Sequence, residues 1–399
     1  MYRFFKQIKA ITLVLLVLGL GFQACEDPYT PELAEDDTDP VLIVDGFINL
    51  HGHSSFKINY SSSILISGPG LAGAPGPFTT ALVSVVSENG QAYPGRWNEE
   101  TGTYLVDHPA LNINTAYFLR IQIGSNVYES DPSKGIPSGE IDALEYIVKD
   151  DGIELVLNSA DPNHGSPYYR WEFEEAWKFN SAIKPSAVMQ NGELVDITPE
   201  TDYGTCFRFN NSSNILIAST QEFAENRIYQ RPIHAISNVS EKLTVRYSIL
   251  VKQYAISAAS YSFWELIRKN SEQIGDIFGV MPSEISGNIR NINDSDERVV
   301  GFIEVLEPAE KRIYINNFEL PHQWMAIKDI PFYSGCLVVD TLTMAEGPPF
   351  FSQFPGYLPG WFIYGSPTSP FPTHVNFSQA RCVDCRFYGR REKPDYWID

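Results

Sequence analysis

Residues 168–179 read YYRWEFEEAWKF. Tyr169, Trp171 and Phe173 alternate with Arg170, Glu172 and Glu174. An extended chain therefore carries rings on one face and charges on the other. The period is two, and aromatic residues favour strands. The stretch reads as a half-buried strand whose rings pack on Leu155 and Leu157 of a preceding strand. Residues 141–148 and 153–158 repeat the signature on either side of the turn Asp150-Asp151-Gly152. Residues 243–255 place Val245, Tyr247, Ile249 and Val251 on one face. Together these outline a β-sandwich over residues 138–256.

Toward the N-terminus the pattern continues. Residues 41–44 (VLIV) form a short apolar run, and residues 55–60 (SFKINY) alternate. A strand at 80–87 ends at Glu88-Asn89-Gly90. Hairpins turn at Glu100-Thr101-Gly102 and at Gly124-Ser125. Short strands at this spacing indicate a first sandwich, 41–132, immunoglobulin-like in plan. Residues 67–78 are a Gly/Pro loop, and residues 131–139 read as a linker.

Toward the C-terminus, residues 258–274 read as a helix, capped by Ser257 and ended by Gly275. Tyr261, Trp264 and Ile267 recur every third residue, and Phe263 and Leu266 widen the apolar stripe. Strands are expected at 298–306 and 311–315. Residues 347–373 (GPPFFSQFPGYLPGWFIYGSPTSPFPT) read as a long loop. The expected fold is mostly β. It comprises two immunoglobulin/fibronectin-like β-sandwich domains and a C-terminal region, 257–399, with one substantial helix and long loops, packed on the second sandwich.

Composition narrows the function. The chain has 399 residues, 43% of them hydrophobic, enough for large cores. Its formal charge of −20 repels nucleic acid, and no basic cluster offsets it.

Residues 1–24 (MYRFFKQIKAITLVLLVLGLGFQA) carry the basic residues Arg3, Lys6 and Lys9, then an apolar run. This is a secretory signal, with a core too short for a comfortable membrane span. Phe22-Gln23-Ala24-Cys25 resembles a lipoprotein processing site, with Cys25 the lipidated first residue of the mature chain. Several acyl chains on one Cys anchor a protein stably. Residues 25–40 then form an acidic tether, beginning Glu26-Asp27 and carrying Glu35, Asp36, Asp37 and Asp39. Such a stretch resembles the export signal of surface lipoproteins. The expected place is the outer membrane, facing the cell exterior.

With Cys25 lipidated, Cys206, Cys336, Cys382 and Cys385 remain, an even number that points to disulfides with three pairings open. Cys382-Val383-Asp384-Cys385 also has the spacing of zinc and redox sites, but a second Cys pair and a thioredoxin-like context are missing.

A family resemblance rests on several segments in one order. Tyr247-Ser248-Ile249-Leu250-Val251-Lys252-Gln253-Tyr254 leads to Phe263-Trp264, Asn270-Ser271-Glu272-Gln273 and Ile277-Phe278. Gly287-Asn288-Ile289, Asn293-Asp294 and Glu297-Arg298-Val299 follow. The chain closes with the Cys382–Arg386 motif and Lys393-Pro394-Asp395-Tyr396-Trp397. This order resembles the domain-of-unknown-function family numbered 4249, a set of Bacteroidetes-type outer-membrane lipoproteins. The resemblance implies an accessory partner of a TonB-dependent outer-membrane receptor. It supplies no catalytic residue.

The chain lacks a Gly-x-Ser-x-Gly elbow, a phosphate loop, a dinucleotide fingerprint and His-Glu-x-x-His. Neither a catalytic residue, a cofactor nor a metal site is assigned. His51-Gly52-His53 and Asn293–Glu297 are weak metal-binding patterns that read more simply as a strand end and a turn. Phe350, Phe351, Phe354, Tyr357, Trp361, Phe362 and Tyr364 stand among Gly and Pro. Such rings either contact a ligand, a glycan or a peptide, or plug a domain interface. The expected function is ligand capture beside a TonB-dependent transporter. The alternatives are a glycan or peptide hydrolase and an envelope scaffold.

Overall fold

The computed structural model describes residues 40–61, 78–161, 165–272, 285, 287–325 and 333–398. The signal, Cys25, the tether up to residue 39, the loop at 67–77 and the helix end at Gly275 lie outside the described residues.

The first sandwich is a run of strands bent over on itself. Leu42–Asn49 pairs with His53–Tyr60, which pairs with Thr103–Asp107. Leu82–Ser87, Tyr117–Ile123 and Asn126–Ser130 form the facing layer. Ala92–Asn98 belongs to both layers. Its Ala92 and Pro94 pair with Val86 and Ser84, whereas Gly95 and Asn98 pair with Val106 and Thr103. The switch falls at Pro94-Gly95, where one residue lacks a donor and the next lacks a side chain. Leu42, Phe56, Ile58, Val85, Tyr104 and Ile121 fill the space between the layers.

Segments distant in sequence complete this sandwich. Ile289–Asn291 pairs with Asn126–Ser130, and Val299–Val300 and Val305–Glu307 run parallel to Leu42–Asn49. The expectation that residues 257–399 pack together on the second sandwich is corrected by this pairing. Strands of two or three residues are too short to carry a period of two, while an open strand edge favours any partner. The expected linker is also built in, since Ile136–Pro137 pairs with Leu306 and Glu307.

In the second sandwich, Arg227–Ser237, Gly152–Ala160 and Ile141–Lys149 form one layer. Thr205–Asn211, Tyr168–Asn180, Arg246–Ile256 and Ala309–Asn316 form the other. Tyr169, Trp171 and Phe173 are buried in one cluster with Leu155 and Leu157, as the alternation requires. Each such ring contributes roughly 1.5–3 kcal/mol by leaving water. The indole N–H of Trp171 still finds an acceptor, donating to Gln253 Oε1 at 2.9 Å. A helix, Ala258–Glu272, follows, and Ser257 Oγ accepts the Ser260 N–H at its start. Among the described residues, no helix is long and apolar enough to cross a membrane.

Residues 347–373 are not the expected long loop. They form the helix Gly347–Gln353 and the strand Tyr357–Tyr364, which pairs with Pro372–Gln379. That strand pairs in turn with Asp340–Thr343. A register shift between Pro359 and Phe362 breaks the alternation that would have revealed the strand. Ala187–Gln190 and Glu193–Asp196 make a further hairpin. It closes on Asn191-Gly192, at φ 52° and 85°, the pair that two-residue hairpins favour.

The cysteines pair as Cys206–Cys385 and Cys336–Cys382. The neighbouring Cys382 and Cys385 thus go to different partners, which leaves no room for the zinc or redox alternative. The C-terminal segment is tied at one point to the central sheet and at another to residue 336.

Candidate functional site

Odd-numbered residues of Tyr168–Asn180 face the second core, so Arg170 and Glu172 face away from it. On that side the helix, the first sandwich and the returning segment at 300–302 meet around a cleft of about 340 Å³. Its charged lining is Asp45, Arg170 and Glu172. Its aromatic lining residues are Trp171, Phe263, Trp264 and Phe302, and the loop Ser212-Ser213-Asn214 forms part of its rim.

Arg170 organises the cleft. Its guanidinium carbon lies 4.9 Å from the centre of the Tyr254 ring and 4.4 Å from that of Trp264. Strand pairing brings Tyr254 opposite Arg170, and the first turns of the helix bring Trp264. The Nη1 of Arg170 lies 2.7 Å from Glu172 Oε1, and Tyr254 Oη donates to Glu172 Oε2. Each charge is therefore braced by a neighbour. The Nε of Arg170 is buried and finds no hydrogen-bond acceptor.

Asp45 stands at the mouth. Solvent reaches it, but the concavity crowds its carboxyl and pushes its pKa above the usual carboxylate range, against the pull of Arg170. Gly46 beside it has φ +140°, and a Cβ there would fall 2.3 Å from Ser55 O. Glu304, outside the lining, accepts the Ser257 N–H at the helix start and feels Arg170. Burial raises its pKa as well, while hydrogen bonds from Ser257 and Ser260 oppose the shift.

A second charged cluster lies inside the second core and is structural. The Glu175 side chain is buried, with Lys242 Nζ at 2.7 Å and hydrogen bonds from Tyr247 Oη and Asn210 Nδ2. Burial alone would raise its pKa, but His234 Nε2 at 3.3 Å and the hydrogen bonds from Lys242 and Asn210 outweigh it and hold the pKa down to about 2.

The aromatic residues singled out in the sequence do not form one groove. Phe351 and Phe362 are buried with Phe377, and Phe350 and Tyr357 pack on the same cluster. Phe354, Trp361 and Tyr364 remain exposed. Four of the seven rings thus serve as core. His51 pairs with Glu307 at 2.8 Å. Asn293 and Glu297 accept hydrogen bonds from Val127 N–H and Tyr128 Oη, so they staple a turn. Among the described residues, no group of three or more His, Cys, Asp or Glu could hold a metal ion.

Arg170, Asp45 and Trp264 were not read as a site from sequence. The only signal was a lone Arg on the charged face of an aromatic strand, which reads equally well as a solvated surface.

The family model for the domain of unknown function DUF4249 matches residues 26–312. The chain belongs to the DUF4249 family. The residues of the cleft all lie within the matched span, whereas the aromatic segment 350–364 lies beyond it. No curated protein matches this DUF4249 chain. A DUF4785 family protein from Legionella pneumophila is similar at 11% identity and a TM-score of 0.17, covering 48% of this chain and 56% of that one. This chain thus spans only about half of the Legionella protein's length. A two-domain fibronectin type III segment of chicken tenascin is similar at 10% identity and a TM-score of 0.14, covering 54% and 90%. Likenesses this weak carry no argument about fold or function.

Proposed function

We propose that this DUF4249 protein is a lipid-anchored outer-membrane protein, facing the cell exterior, that captures a ligand for a TonB-dependent transporter. The observation that carries ligand capture is the cleft at the junction of the two sandwiches and the helix. A concave, ring-lined hollow with a few braced charges suits holding a small ligand in one orientation. The signal-like stretch 1–24 directly before Cys25 supports the anchor, and the family resemblance supports the receptor. Anchoring confines the protein to the membrane plane, which raises its effective concentration at a neighbouring barrel.

The test is extraction of the native protein from outer membranes in mild detergent. Stoichiometric recovery with one TonB-dependent barrel supports the proposal, and recovery as a free lipoprotein overturns the accessory role. A hydrolase is the second reading, because Asp45 and Glu172 place two carboxylates in one cleft. Turnover of an oligosaccharide that both Asp45→Asn and Glu172→Gln abolish would select it.

A further inference from the structure

The charges around the cleft constrain what it can hold. The Asp45 carboxyl feels Arg170, Glu172 and Lys57 as its charged neighbours, and Lys57 stands directly across from it in the paired strand. Asp45, Arg170 and Glu172 line the cleft and Lys57 lies beside Asp45 just outside the lining, so both signs of charge meet at the mouth. An ammonium ligand seated on Asp45 would face Arg170 and Lys57. A carboxylate or phosphate ligand seated by Arg170 would face Asp45 and Glu172. Either arrangement sets like charges together, which disfavours it.

A neutral ligand avoids both conflicts, provided it carries donors and acceptors. Asp45 and Glu172 offer acceptors. Ser213 and Asn214 on the exposed rim offer both kinds of group. The half-buried rings of Trp264 and Phe302 supply apolar surface beside these groups. A pyranose ring has this combination: hydroxyls that both donate and accept, and an apolar C–H face that packs on an aromatic ring. The volume of about 340 Å³ lies at the small end of ligand sites, enough for one or two sugar rings.

We infer that the cleft between Asp45, Arg170 and Trp264 binds one or two rings of a neutral carbohydrate. The inference rests on the ligand-capture reading and names its substrate class.

The test titrates the full chain in detergent with neutral cello-, malto-, xylo- and manno-oligosaccharides by isothermal calorimetry. An oligogalacturonide and a lysine-rich peptide serve as charged controls. Binding of at least one neutral series is expected, and Asp45→Asn should weaken it at least tenfold. Asn214→Ala, on the exposed rim, should weaken it measurably while leaving the melting temperature unchanged, which covers the case where Asp45→Asn fails to fold. The inference is overturned if no neutral series binds, if a charged control binds more tightly, or if Asn214→Ala binds as well as the parent. Co-purification with a barrel is read separately. A barrel recovered without sugar binding sinks the sugar and keeps the accessory role, while sugar binding without a barrel does the reverse.

Discussion

The guanidinium of Arg170 is stacked on Trp264, 4.4 Å from the ring centre, so a charge on the central sheet holds the helix in place. A desolvated stack of this kind is worth about 2 kcal/mol, and an exposed one less. A double-mutant cycle with Arg170→Met and Trp264→Leu, followed by urea unfolding, should give a coupling of about 1–2 kcal/mol. Additive single effects would contradict the stacking.

Glu175 sets an acid dependence. Its folded pKa of about 2 lies below the ordinary glutamate value of 4.5, so the proton prefers the unfolded chain. The stabilisation is therefore present above the unfolded value and is lost as pH falls toward 2. At neutral pH, Glu175→Gln should cost about 3 kcal/mol, because Lys242 is left buried without its partner. Urea midpoints of parent and variant should converge between pH 5 and pH 2. A constant gap across that range would reject the account.

Non-reducing peptide mapping should recover links between Cys206 and Cys385 and between Cys336 and Cys382. A bond between Cys382 and Cys385 would contradict the fold. The first link spans 179 residues and the second 46, so removing either pair should destabilise by up to about 5 and about 4 kcal/mol respectively. The order of the two effects is read from melting of the two double serine variants.

Gly46 sits beside Asp45 at φ +140°, with Ser55 O where a side chain would begin. Gly46→Ala should cost about 2 kcal/mol or more, through strain and collision together. It should also weaken any ligand of the cleft. A variant with parental melting temperature would show that the strand tolerates the change.

Cys25→Ser should abolish incorporation of labelled fatty acid and release the protein from the membrane fraction. Retention of label would place the anchor elsewhere.

Much of the fold was legible because its signals are local. The rings of Tyr169, Trp171 and Phe173 alternate over a long strand, Ser257 and the Tyr261–Ile267 stripe mark a helix, and Gly102 and Gly124 mark turns. The hairpin at Asn191-Gly192 was not read from the sequence, although that residue pair is the one two-residue hairpins favour. The strand Tyr357–Tyr364 was not legible, because the irregularity at Pro359 and Gly360 breaks its alternation.

The sequence by itself determined the strand-rich class and the excess of negative charge. These follow from composition and from contacts a few residues apart. Only the tertiary structure decided which cysteines pair, that Val299–Val300 and Val305–Glu307 return to Leu42–Asn49, and that Asp45, Arg170 and Trp264 meet. Those residues are far apart in the chain. Their meeting depends on which edges and faces find partners when all the layers pack at once, and local periodicity does not encode that choice.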